Sequence, residues 1–278
     1  MQLRRFRQVD VFSAVPYRGN PVAVVLDGGD LDDAAMAAFT RWTNLSEATF
    51  ILPPRDPRAD YRLRIFCASR ELPFAGHPTL GSAYAWLEAG GKPKDSSGLM
   101  QECGAGLIDI RRDSERLAFA APPLQREGPV DTALAERILR GLRVDKTKVR
   151  AMQWVDNGPG WIGVLLDSAQ SVLGIEVDAT VLNGLDVGVI GPYPHGGPAD
   201  FEVRAFFTGS GVAEDPVTGS LNASLAQWLI GNGIAPPHYR ARQGTALGRN
   251  GIIHVEQVDG RIWIGGACTT CIEGSVRL

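Results

Sequence analysis

His77-Pro78-Thr79-Leu80-Gly81-Ser82-Ala83-Tyr84-Ala85-Trp86-Leu87 and Asp215-Pro216-Val217-Thr218-Gly219-Ser220-Leu221-Asn222-Ala223-Ser224-Leu225 are two versions of one segment. Pro, Gly, Ser, Ala and Leu recur in register at an offset of 138 residues, close to half of the 278-residue chain. A shared strand-like run precedes each copy: Leu63-Arg64-Ile65-Phe66 in the first half, Val203-Arg204-Ala205-Phe206 in the second. The chain therefore reads as a fused duplication. Its polar departures, His77 and Asp215, fall at equivalent places, which points to one asymmetric site between two halves.

Both duplicated segments read as helices that are apolar on most sides. Leu80, Ala83, Tyr84 and Leu87 form a stripe, with Ala85 and Trp86 off it; Leu221, Leu225, Trp228 and Leu229 form the second, with Ala223, Ala226 and Ile230 around them. A helix apolar all round is buried all round, so each half is expected to wrap its strands around its own central helix. Pro78 and Pro216 suit a first helical turn, which places His77 and Asp215 at or near the N-caps. Helix N-termini carry unpaired N–H groups and a positive dipole end, and bind carboxylates or phosphates. Gly76, Gly81 and Gly219 allow close backbone approach. The expected ligand is a small anion or carboxylic acid, although well-capped core helices would show the same pattern.

Around these segments, hydrophobic periodicity predicts helices over 32–42, 132–142 and 178–185, and strands over 9–12, 21–26, 48–52, 61–66, 107–110, 117–120, 160–166, 201–206, 251–257, 261–264 and 267–276. The central helices are predicted over 79–89 and 217–230, each ended by glycine. The proline-rich stretch from Pro122 to Pro129 reads as the inter-domain connection. The expected domains are 1–121 with 266–278, and 122–265.

Hydrophobic residues make up 44% of the chain and charged residues 21%, which fits an ordered globule. A net charge of −3 with no long basic run argues against nucleic acid. No apolar stretch reaches the roughly 20 residues of a membrane helix. The start shows no secretory h-region, so a cytoplasmic location is expected. Cys67, Cys103, Cys268 and Cys271 do not make a disulfide scaffold. Cys268-Thr269-Thr270-Cys271 falls in a hairpin or meander, where residues three apart face opposite ways, and reads as structural rather than as a metal or redox pair. There is no Walker loop, no dinucleotide fingerprint, no H-E-x-x-H and no nucleophile elbow. Gly209-Ser210-Gly211 reads as a short loop. What remains is proton-transfer chemistry without metal or cofactor.

Three positions stand out. Glu47, in Asn44-Leu45-Ser46-Glu47-Ala48-Thr49-Phe50, sits where a helix hands over to an apolar strand. Partial desolvation there would raise its pKa toward that of an acid/base; an exposed connector carboxylate is the alternative. His77, between Gly76 and Pro78 at a helix mouth, is one of four histidines. Asp215 either caps its helix or meets a ligand, and Ser220 either presents a hydroxyl or bonds back within its helix.

These residues resemble the PhzF-like phenazine-biosynthesis family nearly end to end. The matching segments are Asp10-Val11-Phe12 with Gly19-Asn20-Pro21, the Asn44–Phe50 run, Glu71-Leu72-Pro73-Phe74-Ala75-Gly76-His77-Pro78-Thr79-Leu80-Gly81, Glu214-Asp215-Pro216-Val217-Thr218-Gly219-Ser220, Gln243-Gly244, Gly248-Arg249 and Gly265-Gly266. The resemblance implies a diaminopimelate-epimerase-like α+β fold: two pseudo-symmetric domains, each a curled, mostly antiparallel sheet around a central helix, with the active site in the cleft between them. It implies that Glu47 shuttles a proton in isomerising trans-2,3-dihydro-3-hydroxyanthranilate or an analogue, from C3 to C1, after which the product tautomerises to a ketone. His77 and Asp215 would act with it in catalysis, and Gly76, Gly219 and Ser220 in substrate binding, with no metal and no cofactor. A homodimer is implied as well. Neither helix mouth carries a cysteine, so a two-thiol racemase is not expected. Cys67-Ala68 stands where relatives often carry Thr-Pro. The competing expectations are a non-thiol epimerase, with Glu47 opposed by Asp215 or His77, and a non-catalytic small-molecule binding protein.

Overall fold

The computed structural model describes residues 1–113, 116–208 and 212–278, so the expected loop at Gly209-Ser210-Gly211 lies outside the described residues. The chain divides into two compact units, Met1–Ala120 with Gly265–Leu278, and Ala121–Ile264.

The first unit runs β1 (Leu3–Val11), β2 (Asn20–Val25), α1 (Asp33–Thr43), β3 (Glu47–Leu52), β4 (Tyr61–Cys67), β5 (Glu71–Leu72), α2 (Gly76–Glu88), β6 (Gly98–Cys103), β7 (Gly106–Arg112) and β8 (Leu117–Ala120). Its ladders alternate in a fixed way. β1 pairs antiparallel with β2, β2 parallel with β3, β3 antiparallel with β4, and β4 antiparallel with β5 and parallel with β6. β6, β7 and β8 then form an antiparallel meander.

The second unit runs β9 (Arg126–Pro129), α3 (Thr132–Leu142), β10 (Val149–Asp156), β11 (Trp161–Leu166), α4 (Ala169–Leu173), α5 (Ala179–Leu182), β12 (Asp186–Pro192), β13 (Phe201–Phe207), β14 (Val212–Asp215), α6 (Gly219–Gly231), β15 (His238–Gln243) and β16 (Gly251–Val258). The strands β17 (Arg261–Gly266) and β18 (Cys268–Arg277) end the chain. The pairing sequence repeats: β10–β11 antiparallel, β11–β12 parallel, β12–β13 antiparallel, β13–β14 antiparallel, β13–β15 parallel, β15–β16 antiparallel. β9 lies antiparallel on the outer side of β10, as β18 does on β1. The duplication is thus one of ladder pattern as well as sequence, and the architecture is α+β and pseudo-symmetric. α3 has no counterpart in the first unit; α4 and α5 occupy the place of α1. Part of the expected Pro122–Pro129 connection is a strand, because Arg126–Pro129 satisfies its backbone on β10.

Each central helix is enclosed. α2 buries Gly76 to Ala83 and Ala85, and α6 buries Gly219, Leu221 to Ala226, Trp228 and Leu229, whereas α1 buries only Met36, Phe39 and Thr40. The closest approaches need glycine, on opposite partners in the two units. A Cβ on helix residue Gly81 would lie 2.4 Å from Val22 Cγ1 and 2.9 Å from Val11 Cγ2; a Cβ on strand residue Gly188 would lie 2.1 Å from Leu221 Cδ1.

The helix starts correct the register of the repeat. α2 begins at Gly76 with Ala75 as its cap, and α6 at Gly219 with Thr218 as its cap, an offset of 143 rather than 138. The aligned motifs are therefore Glu71-Leu72-Pro73-Phe74-Ala75-Gly76 and Glu214-Asp215-Pro216-Val217-Thr218-Gly219. An ion pair enforces this register in both units. Arg64 Nε and Nη2 donate to Glu71 Oε1 and Oε2 at 2.7 and 2.6 Å; Arg204 Nε and Nη2 donate to Glu214 Oε1 and Oε2 at 2.9 and 2.7 Å. Each guanidinium also lies 5.0 Å from the ring of the Phe two residues on.

His77 is therefore the second residue of its helix rather than a cap, and its positional counterpart is Ser220. Asp215 is not an N-cap: it ends β14, and Pro216 lies outside the helix. The expected equivalence of His77 and Asp215 came from a chance match of Pro, Gly and Ser.

Candidate functional site

Each unit places its own share of the singled-out residues at the mouth of its central helix. Among the longer peripheral helices, α1 and α3 are capped by Asp32 and Asp131, whose carboxylates accept from Ala35 and Leu134 N–H; Ser168 and Asp178 do the same for α4 and α5. Neither Ala75 nor Thr218 supplies a side-chain cap to α2 or α6. The mouths of the two central helices thus keep first-turn N–H groups that a ligand carboxylate can meet.

In the first unit, α1 ends on Asn44 in the left-handed region, at φ 57°, and the chain turns directly into β3. Glu47 opens that strand with its side chain 16% exposed, and its Oε2 lies 3.3 Å from Nε2 of His77, whose side chain is 6% exposed. Behind the ring, Nδ2 of Asn20 stands 3.4 Å from Nδ1 of His77. Asn20 opens β2 and is held by the turn before it: Asp10 Oδ2 accepts from the N–H groups of Arg18 and Gly19 at 2.8 and 2.9 Å. Position 19 must be glycine, since a Cβ would lie 2.1 Å from the carbonyl oxygen of Val11. Cys67 sits directly opposite Glu47 in the β3–β4 ladder, so the departure from Thr-Pro touches the acid's immediate neighbour.

Burial pushes the His77 imidazole down to about 3, so the ring is neutral in the folded chain. This has a consequence for stability. A histidine whose folded pKa lies below its unfolded value of about 6.5 takes up protons preferentially when unfolded. The stability it permits is full above that value and falls as pH drops from about 6.5 toward 3. The urea midpoint is accordingly expected to fall between pH 7.5 and 4.5 in the wild type, and to fall less in His77→Gln. Equal falls would show that burial of this ring does not govern the acid limb.

In the second unit, the mouth of α6 is built on Gln243, the fully buried last residue of β15. Its Oε1 accepts from the Thr218 N–H at 3.0 Å and from Asn222 Nδ2 at 2.9 Å. Its Nε2 donates to the Thr218 hydroxyl at 2.9 Å and to the Asp215 carbonyl at 3.1 Å. The Thr218 hydroxyl in turn donates to Asp215 Oδ2 at 2.5 Å. One side chain thus fixes the cap and both ends of Asp215. Ser220, beside Gly219 in the first turn, accepts from Trp161 Nε1 through its hydroxyl at 3.2 Å, and its carbonyl accepts from Asn157 Nδ2 at 2.9 Å. The hydroxyl does not bond back within its helix through these contacts; it is aimed from outside by Trp161.

The geometry brings Glu47 and His77 into contact beside Gly76, and ties Asp215 through Gln243 to the Thr218 cap of α6, whose first turn carries Gly219 and Ser220. Asn20, Asn157 and Trp161 were not singled out from sequence, although Asn20 and Gln243 each precede or follow a glycine in a short polar motif. Among the described residues, no group of three or more His, Cys, Asp or Glu side chains is placed to hold a metal ion. The four cysteines are unbonded thiols, with Cys268 and Cys271 both in β18. Among the described residues, no helix is long and apolar enough to cross a membrane.

A contact between a carboxylate and a neutral imidazole in a desolvated position is an arrangement for moving a proton. The model of the phenazine biosynthesis-like protein family matches residues 9–274. The chain is 35% identical to antisense-enhancing sequence 1 of Schizosaccharomyces pombe, covering 97% of each chain. It is 33% identical to trans-2,3-dihydro-3-hydroxyanthranilate isomerase of Pseudomonas fluorescens, covering 97% of this chain and 98% of that one. In fold it is similar to a PhzF-family phenazine biosynthesis protein of Enterococcus faecalis, with a TM-score of 0.83 over the whole of both chains at 24% identity. With family match, relatives and fold in agreement, the chain belongs to the phenazine biosynthesis-like protein family, and so to the isomerases.

Proposed function

We propose that this protein is a PhzF-type isomerase that transfers a proton on a small cyclic or amino-acid-like carboxylic acid, trans-2,3-dihydro-3-hydroxyanthranilate or an analogue of it. The observation that carries this reading is the 3.3 Å approach of the Glu47 carboxylate to the buried, neutral His77. Glu47 removes the proton from C3 and returns it at C1. His77 and the first-turn N–H groups at Gly76 stabilise the charge that develops on the ring and its carboxylate. Asp215, Gly219 and Ser220 bind and orient the substrate, Ser220 through the hydroxyl that Trp161 aims. The chemistry is proton transfer within one molecule and draws on no cofactor. The cytoplasm as its place belongs to the same reading, and a homodimer as its assembly rests on the resemblance.

The test is proton NMR of trans-2,3-dihydro-3-hydroxyanthranilate in deuterated buffer. Turnover with deuterium entering the ring is expected. If folded wild-type protein leaves this compound untouched, the substrate is another carboxylic acid, and a panel of cyclic amino acids and their dehydro analogues becomes the next trial. Binding without proton exchange on any of them would make the protein a binding module.

A further inference from the structure

The Glu47–His77 contact is specified from behind. His77 has two ring nitrogens, one facing Oε2 of Glu47 at 3.3 Å and the other facing Nδ2 of Asn20 at 3.4 Å. A neutral imidazole carries one proton, and the partner of one nitrogen decides which. An amide nitrogen only donates. Facing Asn20 Nδ2, Nδ1 must be the acceptor, and the ring proton is left on Nε2, toward Glu47. Asn20 has little freedom to turn away. It is 1% exposed, opens β2 opposite Val11, and follows the turn clamped by Asp10 and permitted only by glycine at position 19.

We infer that Asn20 is a positioning residue that fixes His77 in the Nε2–H tautomer, so that an N–H rather than a lone pair is turned toward the Glu47 carboxylate, a 3.3 Å approach that lacks hydrogen-bond geometry in the resting chain. The role of that donor in turnover rests on the isomerase reading; the tautomer itself does not. In this arrangement the ring N–H favours ionised Glu47, the base, and faces it less favourably once Glu47 is protonated. An acceptor placed at position 20 would draw the proton to Nδ1 and turn a lone pair on Nε2 against the carboxylate. Setting the wrong tautomer is a known way to lose rate while keeping geometry.

The experiment is a long-range proton–nitrogen correlation spectrum of protein labelled with 15N-histidine, without substrate. The His77 signals are assigned by their loss in His77→Gln. In the wild type, Nε2 is expected at the protonated nitrogen shift and Nδ1 at the unprotonated one. In Asn20→Asp, the proton is expected on Nδ1 or on both nitrogens, and in Asn20→Ala as a mixture. Turnover number is expected to fall about 10- to 100-fold in Asn20→Asp, with KM within about threefold. A wild-type Nδ1–H tautomer, or an Asn20→Asp spectrum identical to wild type, overturns the inference. So does a shifted tautomer with an undiminished turnover number. Because the spectrum is read on resting protein, a failure of the isomerase reading would show in the turnover assay while the tautomer assignment stood or fell separately. Urea midpoints of the variants separate both from unfolding.

Discussion

Glu47→Gln is expected to lower turnover by at least about 10²-fold, and toward 10⁴-fold if proton transfer limits the rate throughout, while leaving the fold intact. Glutamine has the same shape and still offers an oxygen to His77, so the packing of β3 against β4 is preserved. What it lacks is any ability to take up a proton near neutral pH. Because Glu47 is the single acid/base of the proposed reaction, no second group can take over the transfer from C3 to C1. Deuterium entry into substrate and product should therefore vanish together, which distinguishes loss of the transfer from a slowed release of product. The measurement is proton NMR in deuterated buffer, with ligand affinity measured alongside on the same preparation. Retained affinity with lost exchange is the expected pattern. If Glu47→Gln kept turnover within about tenfold of the wild type, the acid/base would have to be another residue. The competing epimerase reading predicts that exchange at a stereocentre survives on the face opposite Glu47.

Much of this arrangement was legible because it is written in local chemistry. The two central helices announce themselves by being apolar on nearly every side, and Glu47 by sitting between a helix and a buried strand. The strands β6, β10, β12 and β15 escaped notice for physical reasons. β15, His238-Tyr239-Arg240-Ala241-Arg242-Gln243, buries Tyr239, Ala241 and Gln243 between exposed or half-exposed charges, and one of its three inward residues is polar. β10 is largely half-buried and shows no clean alternation. The register error has a different origin. A match of Pro, Gly and Ser between His77 and Asp215 is stronger to the eye than Glu-x-Pro-x-x-Gly, but only the latter is held by a contact, and contacts between Arg64 and Glu71 or Arg204 and Glu214 cannot be read from spacing. For the same reason Gln243 and Asn20 were visible as motif members without a role: each acts by touching residues from distant parts of its unit.

The paired arginine–glutamate contacts give the second large effect, because the two copies differ in burial. Arg204 and Glu214 have side chains only 7% and 8% exposed, while Glu71 opposite Arg64 is 42% exposed. Glu214→Gln is expected to destabilise the protein by about 3–5 kcal/mol, the usual result of removing one member of a buried ion pair and leaving the other charge uncompensated. Arg204 would keep as acceptors the new amide oxygen and the carbonyl oxygens of Val172 and Ile175, at 3.3 and 2.7 Å, which satisfy hydrogen bonds but carry no full negative charge. Glu71→Gln is expected to cost at most about 1 kcal/mol, since water reaches that pair and Asp33 also holds Arg64 at 2.8 Å. The comparison is made by urea unfolding, with a lowered midpoint and an unchanged slope. Equal costs in the two units would mean that burial does not set the value of this contact. The same substitution reaches function, because Glu214 is the residue next to Asp215: freeing β14 from Arg204 lets Asp215 shift against Gln243 and Thr218. Glu214→Gln should therefore raise KM for the substrate even at temperatures where the protein remains folded, whereas Glu71→Gln, next to Leu72, should leave KM unchanged.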